Sequence, residues 1–385
     1  MIPVYVASDC IITSLGFSSK ENFEHLKAGV IGLTKTGKIS VSSTPYYTSH
    51  IDFDLVESRF KEIAQSSAAY TNLEKLAILS ISESLSLSNL NIKGEDTLLI
   101  LSTTKGNIDV LQNELYTSFG KDRLYLWESA RWIKDFFKMT NTPVVISNAC
   151  ISGVLAIILG SRMIRSGQIK NVVITGVDIL SKFVVSGFHS FQALSPNPCR
   201  PFDISRDGLN LGEGCGTIIL TSDEKTIADS NPILIGEGYS GNDANHISGP
   251  SRTGEGLYLC LKQIVDNTLI TGKTIDYISS HGTATLYNDE MESIALSRAG
   301  LALVPVNSYK GYWGHTLGAA GVIESIAGIH SIKNNLLIQS AGYTKSGVSQ
   351  AINVIEKTEE KKLNTCLKIA SGFGGCNAGV LFYKR

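Results

Sequence analysis

Val144-Val145-Ile146-Ser147-Asn148-Ala149-Cys150-Ile151-Ser152-Gly153-Val154-Leu155 passes from a β-branched apolar run, through a short polar turn, into a small-residue apolar run. This predicts a buried strand, a sharp turn bearing one cysteine, and a buried helix. A thiol at a helix N-terminus faces unpaired backbone N–H groups and about half a positive charge. Both favour the thiolate, the nucleophilic form. The same stretch also reads as a packed thiol, since free cysteine is among the most buried residue types.

Similar apolar runs recur along the chain at 2–7, 97–102, 171–177, 216–221, 232–236, 275–280, 303–307, 366–370 and 378–383. Helix-like stretches lie between several of them, at 73–87, 151–166, 255–268 and 317–332. Strands alternating with helices predict an α/β fold with buried, largely parallel strands. Val144 to Ile174 and Val304 to Ile338 also share one plan: strand, polar turn with a reactive residue, glycine- and alanine-containing helix, strand. One α/β unit used twice is the natural architecture, with the chemistry where the copies meet. The polar stretch 223–231 marks the boundary, giving halves at 1–228 and 229–385.

A chain of 385 residues suits two such halves. Its net charge of −1 gives no reason to expect nucleic acid or an anionic membrane as partner. The seven cysteines are odd in number and none form a CxxC pair, so neither a disulfide framework nor a zinc site is expected. With no long apolar run and no basic leader before one, the expected location is the cytoplasm.

A nucleophilic cysteine needs acid, base or electrostatic partners. Two histidines stand in short glycine-bearing loops after apolar strands: His281 in His281-Gly282-Thr283-Ala284-Thr285, and His315 in Gly314-His315-Thr316-Leu317-Gly318. Loops at strand ends are where α/β proteins place reactive groups. Lys310, buried beside Glu292, would be a paired ion orienting a histidine site. Gly372-Phe373-Gly374-Gly375 is a turn able to aim backbone N–H groups at an oxyanion. It is not a dinucleotide fingerprint, because the spacing fails and a strand comes next.

In order and spacing, these segments resemble the β-ketoacyl-acyl carrier protein synthases of the Cys-His-His elongating type, in the thiolase superfamily. So do Arg200-Pro201-Phe202-Asp203, Arg206-Asp207-Gly208, Gly212-Glu213-Gly214, Gly241-Asn242-Asp243-Ala244-Asn245-His246 and Gly318-Ala319-Ala320-Gly321. The resemblance implies a thiolase-like αβαβα layered fold of two duplicated halves, normally in a homodimer, with a heterodimer as the alternative. It implies an acyltransferase: decarboxylative Claisen condensation of an acyl thioester on Cys150 with malonyl-acyl carrier protein, in fatty acid or polyketide synthesis. In that scheme His281 and His315 stabilise the enolate, and the N–H groups of Cys150 and Phe373 form the oxyanion hole. Lys310 with Glu292 holds the histidines, while Thr283 and Thr285 touch the pantetheine arm. Phosphopantetheine arrives on the carrier protein, and no cofactor or metal is resident. The family often has a phenylalanine gate where Ser371 stands and a glycine where Ala284 stands. Tyr309, Tyr312, Trp313 and Ser102–Gly106 also depart from the usual pattern and are expected to reshape the acyl pocket. Two other readings are a non-condensing acyltransferase and a chain-length-setting partner subunit. The retained Cys150, His281 and His315 argue against the second.

Overall fold

The computed structural model describes residues 2–35, 46–64, 69–114, 116–246 and 249–385. All ten predicted apolar runs become strands of one ten-stranded sheet. They are β1 (Tyr5–Ile12), β2 (Thr97–Ser102), β3 (Val144–Ile146), β4 (Asn171–Asp178), β5 (Gly214–Thr221), β6 (Ile233–Asn242), β7 (Ile278–Ser279), β8 (Val306–Asn307), β9 (Thr365–Gly372) and β10 (Cys376–Lys384). Among the helices of the described residues, those that build the layers and frame the site are α1 (Asn72–Ser86), α2 (Leu126–Phe136), α3 (Ser152–Arg165), α4 (Lys182–Ser190), α5 (Glu255–Ile270), α6 (Leu286–Arg298) and α7 (Ala320–Asn334).

Across the sheet the order is β8-β7-β9-β10-β6-β1-β5-β4-β2-β3. From the centre outward, one side reads 1-5-4-2-3 and the other 6-10-9-7-8. The pairing senses repeat as well. β1–β5 and β5–β4 are antiparallel, while β4–β2 and β2–β3 are parallel; β6–β10, β10–β9, β9–β7 and β7–β8 show the same series. The two sides meet along β1 and β6, where Tyr5 pairs with Leu234 and Val6 with Ile233.

Alternation of side chains along the strands builds the layers. Leu99, Leu101, Val173, Val177 and Ile219 face one core with α1 and α2. Leu98, Ile100, Val172, Ile174 and Ile218 face the opposite core, which also holds Val154 and Ile157 of α3 and Val322 and Ile326 of α7. Val380 and Phe382 of the second half close that middle layer. Ile278, Leu367 and Ile369 face α5 and α6 on the far side. The two sides of the sheet thus form two layers, giving helix, sheet, helix, sheet, helix, with α3 and α7 in the centre.

α3 and α7 cross at glycines. A Cβ on Gly153 would sit 2.7 Å from the Val322 nitrogen, and one on Gly321 would sit 2.5 Å from the Val154 nitrogen. Only glycine permits this backbone contact, which sets the two helix N-termini side by side. Two expectations need correcting. The sheet is mixed and not largely parallel: five of its nine strand pairings are antiparallel. The strand after α7, Leu336–Leu337, does not join the large sheet but pairs with Glu359–Glu360. The position matching β4 is taken by β9, after an intervening excursion of the chain.

Candidate active site

Cys150 lies between β3 and α3, 7% exposed. Ala149 takes a positive φ of 44°, unusual for a residue with a Cβ, so the turn is strained. Ser152 braces it: its hydroxyl accepts from the Asn148 N–H at 2.7 Å and donates to the Ala149 carbonyl at 2.6 Å. Gly372 rests against the same turn, where a Cβ would lie 3.1 Å from the Cys150 nitrogen.

His315 occupies the matching place before α7. Its N–H donates to the Asn210 carbonyl at 2.7 Å, and its carbonyl accepts from the Gly212 N–H at 3.1 Å. A Cβ on Gly212 would strike the Trp313 carbonyl, which accounts for the small residue in Gly212-Glu213-Gly214. The Leu317 N–H donates to His315 Nδ1 at 3.2 Å. The proton of the neutral ring therefore sits on Nε2, which is buried and has no hydrogen-bond partner among the described residues.

His281 comes directly after β7. Two acids of α6 hold its loop through backbone N–H groups. Glu292 accepts from His281 and Gly282 at 2.7 and 2.6 Å, and Asp289 accepts from Thr283 at 3.0 Å. Ala284 adopts φ 62°, which explains why glycine suits that position. Lys310 Nζ donates to the His281 carbonyl at 2.6 Å and lies 3.4 Å from His281 Nδ1. An ammonium has only donors, so Nδ1 is the acceptor and Nε2 again carries the proton. The imidazoles of His281 and His315 meet edge to face, centroids 5.1 Å apart. Cys150 Sγ and one nitrogen of each ring fall within 4.8 Å of one another. That spacing would also suit a metal ion. With its Nδ1 lone pair engaged, however, His315 offers Nε2–H as a donor and not a ligand.

Two expectations change here. The ion partner of Lys310 is Glu324 of α7, at 2.6 Å, and not Glu292, whose carboxylate is occupied with the loop N–H groups. Burial and neighbouring Asp289 also push Glu292 upward. Glu324's other oxygen accepts from Lys368 of β9 at 2.5 Å. Sequence reasoning missed both residues. The signal was a lone charge in an apolar run, Val322-Ile323-Glu324-Ser325-Ile326 and Cys366-Leu367-Lys368-Ile369. The second change concerns the thiol. Burial pushes Cys150 up to about 12, with Lys310 pulling the other way, which opposes the thiolate that a helix end would favour. Burial, then Lys310, hold both histidines well below the usual imidazole range.

A cleft of about 380 Å³ opens over these groups. Cys150, His281 and His315 line it together with Thr283, Thr285, Ser371 and Phe373. The Thr283 and Thr285 hydroxyls lie 2.8 Å apart. Ser371 donates to the Asn377 side chain at 2.7 Å. Phe373 packs on Phe188 and Phe191. Tyr309, Tyr312 and Trp313 do not shape the cleft; all three are fully buried in the middle layer. Ser102–Gly106 lie outside its walls as well. The Asp178 carboxylate holds Thr103 and Thr104 there, and it accepts from the Gly318 N–H at 2.7 Å.

The family model for the beta-ketoacyl synthase N-terminal domain matches residues 100–226, and that for the C-terminal domain matches 233–344. The 3-oxoacyl-[acyl-carrier-protein] synthase 2 of Rhizobium meliloti is 34% identical over 251 residues, covering 61% of this chain and 59% of that protein. The synthase of the same description from Vibrio cholerae is 34% identical over 260 residues, covering 63% and 62%. The alignments thus span about six-tenths of these relatives. The solved ishigamide ketosynthase/chain length factor superposes with a TM-score of 0.87 at 22% identity, over 99% of this chain and 98% of that one. No helix among the described residues is long and apolar enough to cross a membrane. With both halves matched in order over well over half its length, on a thiolase-like fold, the chain belongs to the β-ketoacyl synthase family.

Proposed function

We propose that the protein is an acyltransferase that joins an acyl group to malonyl-acyl carrier protein by decarboxylative Claisen condensation. The carrying observation is a pair of neutral imidazoles, each presenting Nε2–H beside a buried cysteine. Cys150 sulfur attacks the acyl thioester; its proton passes to the departing pantetheine sulfur, leaving an S-acyl cysteine. A malonyl thioester then takes the freed place. Loss of carbon dioxide leaves an electron pair on the α-carbon, shared with the thioester oxygen. The Nε2–H groups of His281 and His315 stabilise that oxygen, each such donor being worth about 3 kcal/mol in comparable holes. The carbanion attacks the acyl carbonyl, whose oxygen is held by the N–H groups of Cys150 and Phe373. The C–S bond breaks, β-ketoacyl-acyl carrier protein leaves, and the sulfur recovers a proton.

Lys310 positions His281, and Glu292 fixes the His281 loop. Thr283, Thr285 and Ser371 line the pantetheine route. Phosphopantetheine is the carrier's cargo, and no resident cofactor or metal takes part. The partners are acyl carrier protein and a second copy of this chain. The setting is the cytoplasm, and the chain divides into halves at 1–228 and 229–385, which the repeated strand order supports. A second reading, a chain-length-setting subunit of a heterodimer, draws on the likeness to a ketosynthase/chain length factor. The intact Cys-His-His group favours the first.

The test is mass analysis of the intact protein after incubation with acyl- and malonyl-acyl carrier protein, alongside carbon dioxide release. Wild type gains one acyl group on Cys150. Cys150→Ala gains none, and His315→Ala gains it while losing decarboxylation about 100-fold or more. An adduct on another cysteine, or undiminished carbon dioxide from His315→Ala, overturns the assignment.

A further inference from the structure

Lys368 is a charged residue inside a strand buried on both faces, and the condensation steps leave it without a role. Its three protons are all placed. Nζ reaches the Ser280 carbonyl at 2.9 Å, the Ser279 carbonyl at 3.4 Å and Glu324 at 2.5 Å. Lys310 is placed in parallel, on the His281 carbonyl and the other Glu324 oxygen. Two ammonium groups bridged by one carboxylate therefore grip three consecutive carbonyls, Ser279, Ser280 and His281. Glu292 grips the N–H groups of His281 and Gly282. The peptide carrying the His281 ring is clamped by ammonium groups on the carbonyls and by the Glu292 carboxyl on the N–H groups.

A simple Lys–Glu pair would fix Lys310 and be electrically neutral. A fully buried third charge is costly, and its addition needs a reason. We propose that Lys368 is a positioning residue for His281: it completes the carbonyl clamp and leaves the Lys–Glu–Lys cluster with one net positive charge behind the imidazoles. This rests on the proposed function and deepens it. Decarboxylation, which uses the histidines, depends on Lys368; loading of Cys150 does not.

The groups facing this cluster are Lys310, Glu324, Glu292, Asp289, His281, His315 and the Cys366 thiol. Lys368 acts on both imidazoles in the sense that disfavours their protonation. Removing its charge makes protonation easier, so the acid limb of a reaction needing neutral imidazoles moves to higher pH.

The experiment compares wild type, Lys368→Met and Lys368→Gln in three measurements: acyl loading of Cys150 by intact mass, carbon dioxide release from malonyl-acyl carrier protein, and the pH profile of that release. Gln keeps amide donors without the charge and serves if Met does not fold. Expected are loading within about threefold of wild type, carbon dioxide release down by ~10–100-fold, the range seen for hydrogen-bond partners that orient metal-bound histidines, and an acid limb raised by about half a unit or more. Loading and release falling together with the limb unmoved makes Lys368 a packing residue and overturns the proposal. Unchanged release does the same. A wild type that loads but releases no carbon dioxide overturns the condensing reading itself, and the Lys368 role with it.

Discussion

Cys150 is a buried thiol whose proton must leave for it to react. Burial raises the thiol to about 12, outweighing Lys310, and so disfavours the thiolate at rest. Deprotonation therefore rises steeply with pH. Alkylation of Cys150 by iodoacetamide, tracked by mass, should climb about tenfold per unit between pH 7 and 9. A plateau below pH 8 would mean that the resting sulfur is ionised. Cys150, His281 and His315 were legible because each stands in a short polar context at the end of an apolar strand. Glu324 and Lys368 were not. Their ion pairs span 14 and 44 residues of chain, and no local pattern ties Glu324 to Lys310 in place of Glu292.

At the scale of elements, the long apolar runs declared themselves and the amphipathic ones did not. All ten sheet strands and the helices α1, α3, α5 and α7 fall on the apolar runs and helix-like stretches read from the sequence. α2 and α4 escaped notice because their apolar residues lie on one face and form no unbroken run in the sequence. Tyr309, Tyr312 and Trp313 were misread because volume alone does not say which way a side chain points; the stacked pair Tyr309–Trp313 fills core instead. The contact that matters most between elements is the α3–α7 crossing. Gly321→Val would force a side chain onto the Val154 nitrogen. A loss of ~3 kcal/mol in denaturant unfolding is expected, with condensation lost in step. Gly187→Ala, in open space on α4, serves as the control and should be neutral or slightly stabilising.

Across the whole molecule, polar ties bind the halves as well as apolar layers do. Asp9 of β1 accepts from His330 of α7 at 2.8 Å. Asp9 is held down to about 2: burial alone would raise it, but His330 and Lys333 outweigh that. A depressed carboxyl contributes stability above its unfolded value, and that contribution fades as pH falls from about 4 to about 2. Asp9→Asn should cost ~2 kcal/mol in unfolding at pH 7, and wild type and variant should converge below pH 2. A constant gap across that range would assign the cost to packing. The duplicated architecture was legible as two similar stretches, but not the route between them. The chain after α7 leaves the large sheet before β9 enters it, and that detour carries no periodic signal.

The central place of β1 has a cost in time. Its neighbours are Gly214–Thr221 on one side and Ile233–Leu234 on the other, both about two hundred residues downstream. During synthesis an eight-residue strand, buried throughout in the finished molecule, is made long before anything exists to pair with it. Until β5 arrives it is an open, apolar edge, the kind of segment that invites association between nascent chains. Completion of the first half-sheet is therefore a late, long-range event in folding, and the ribosome and its chaperones must carry β1 unpaired until then.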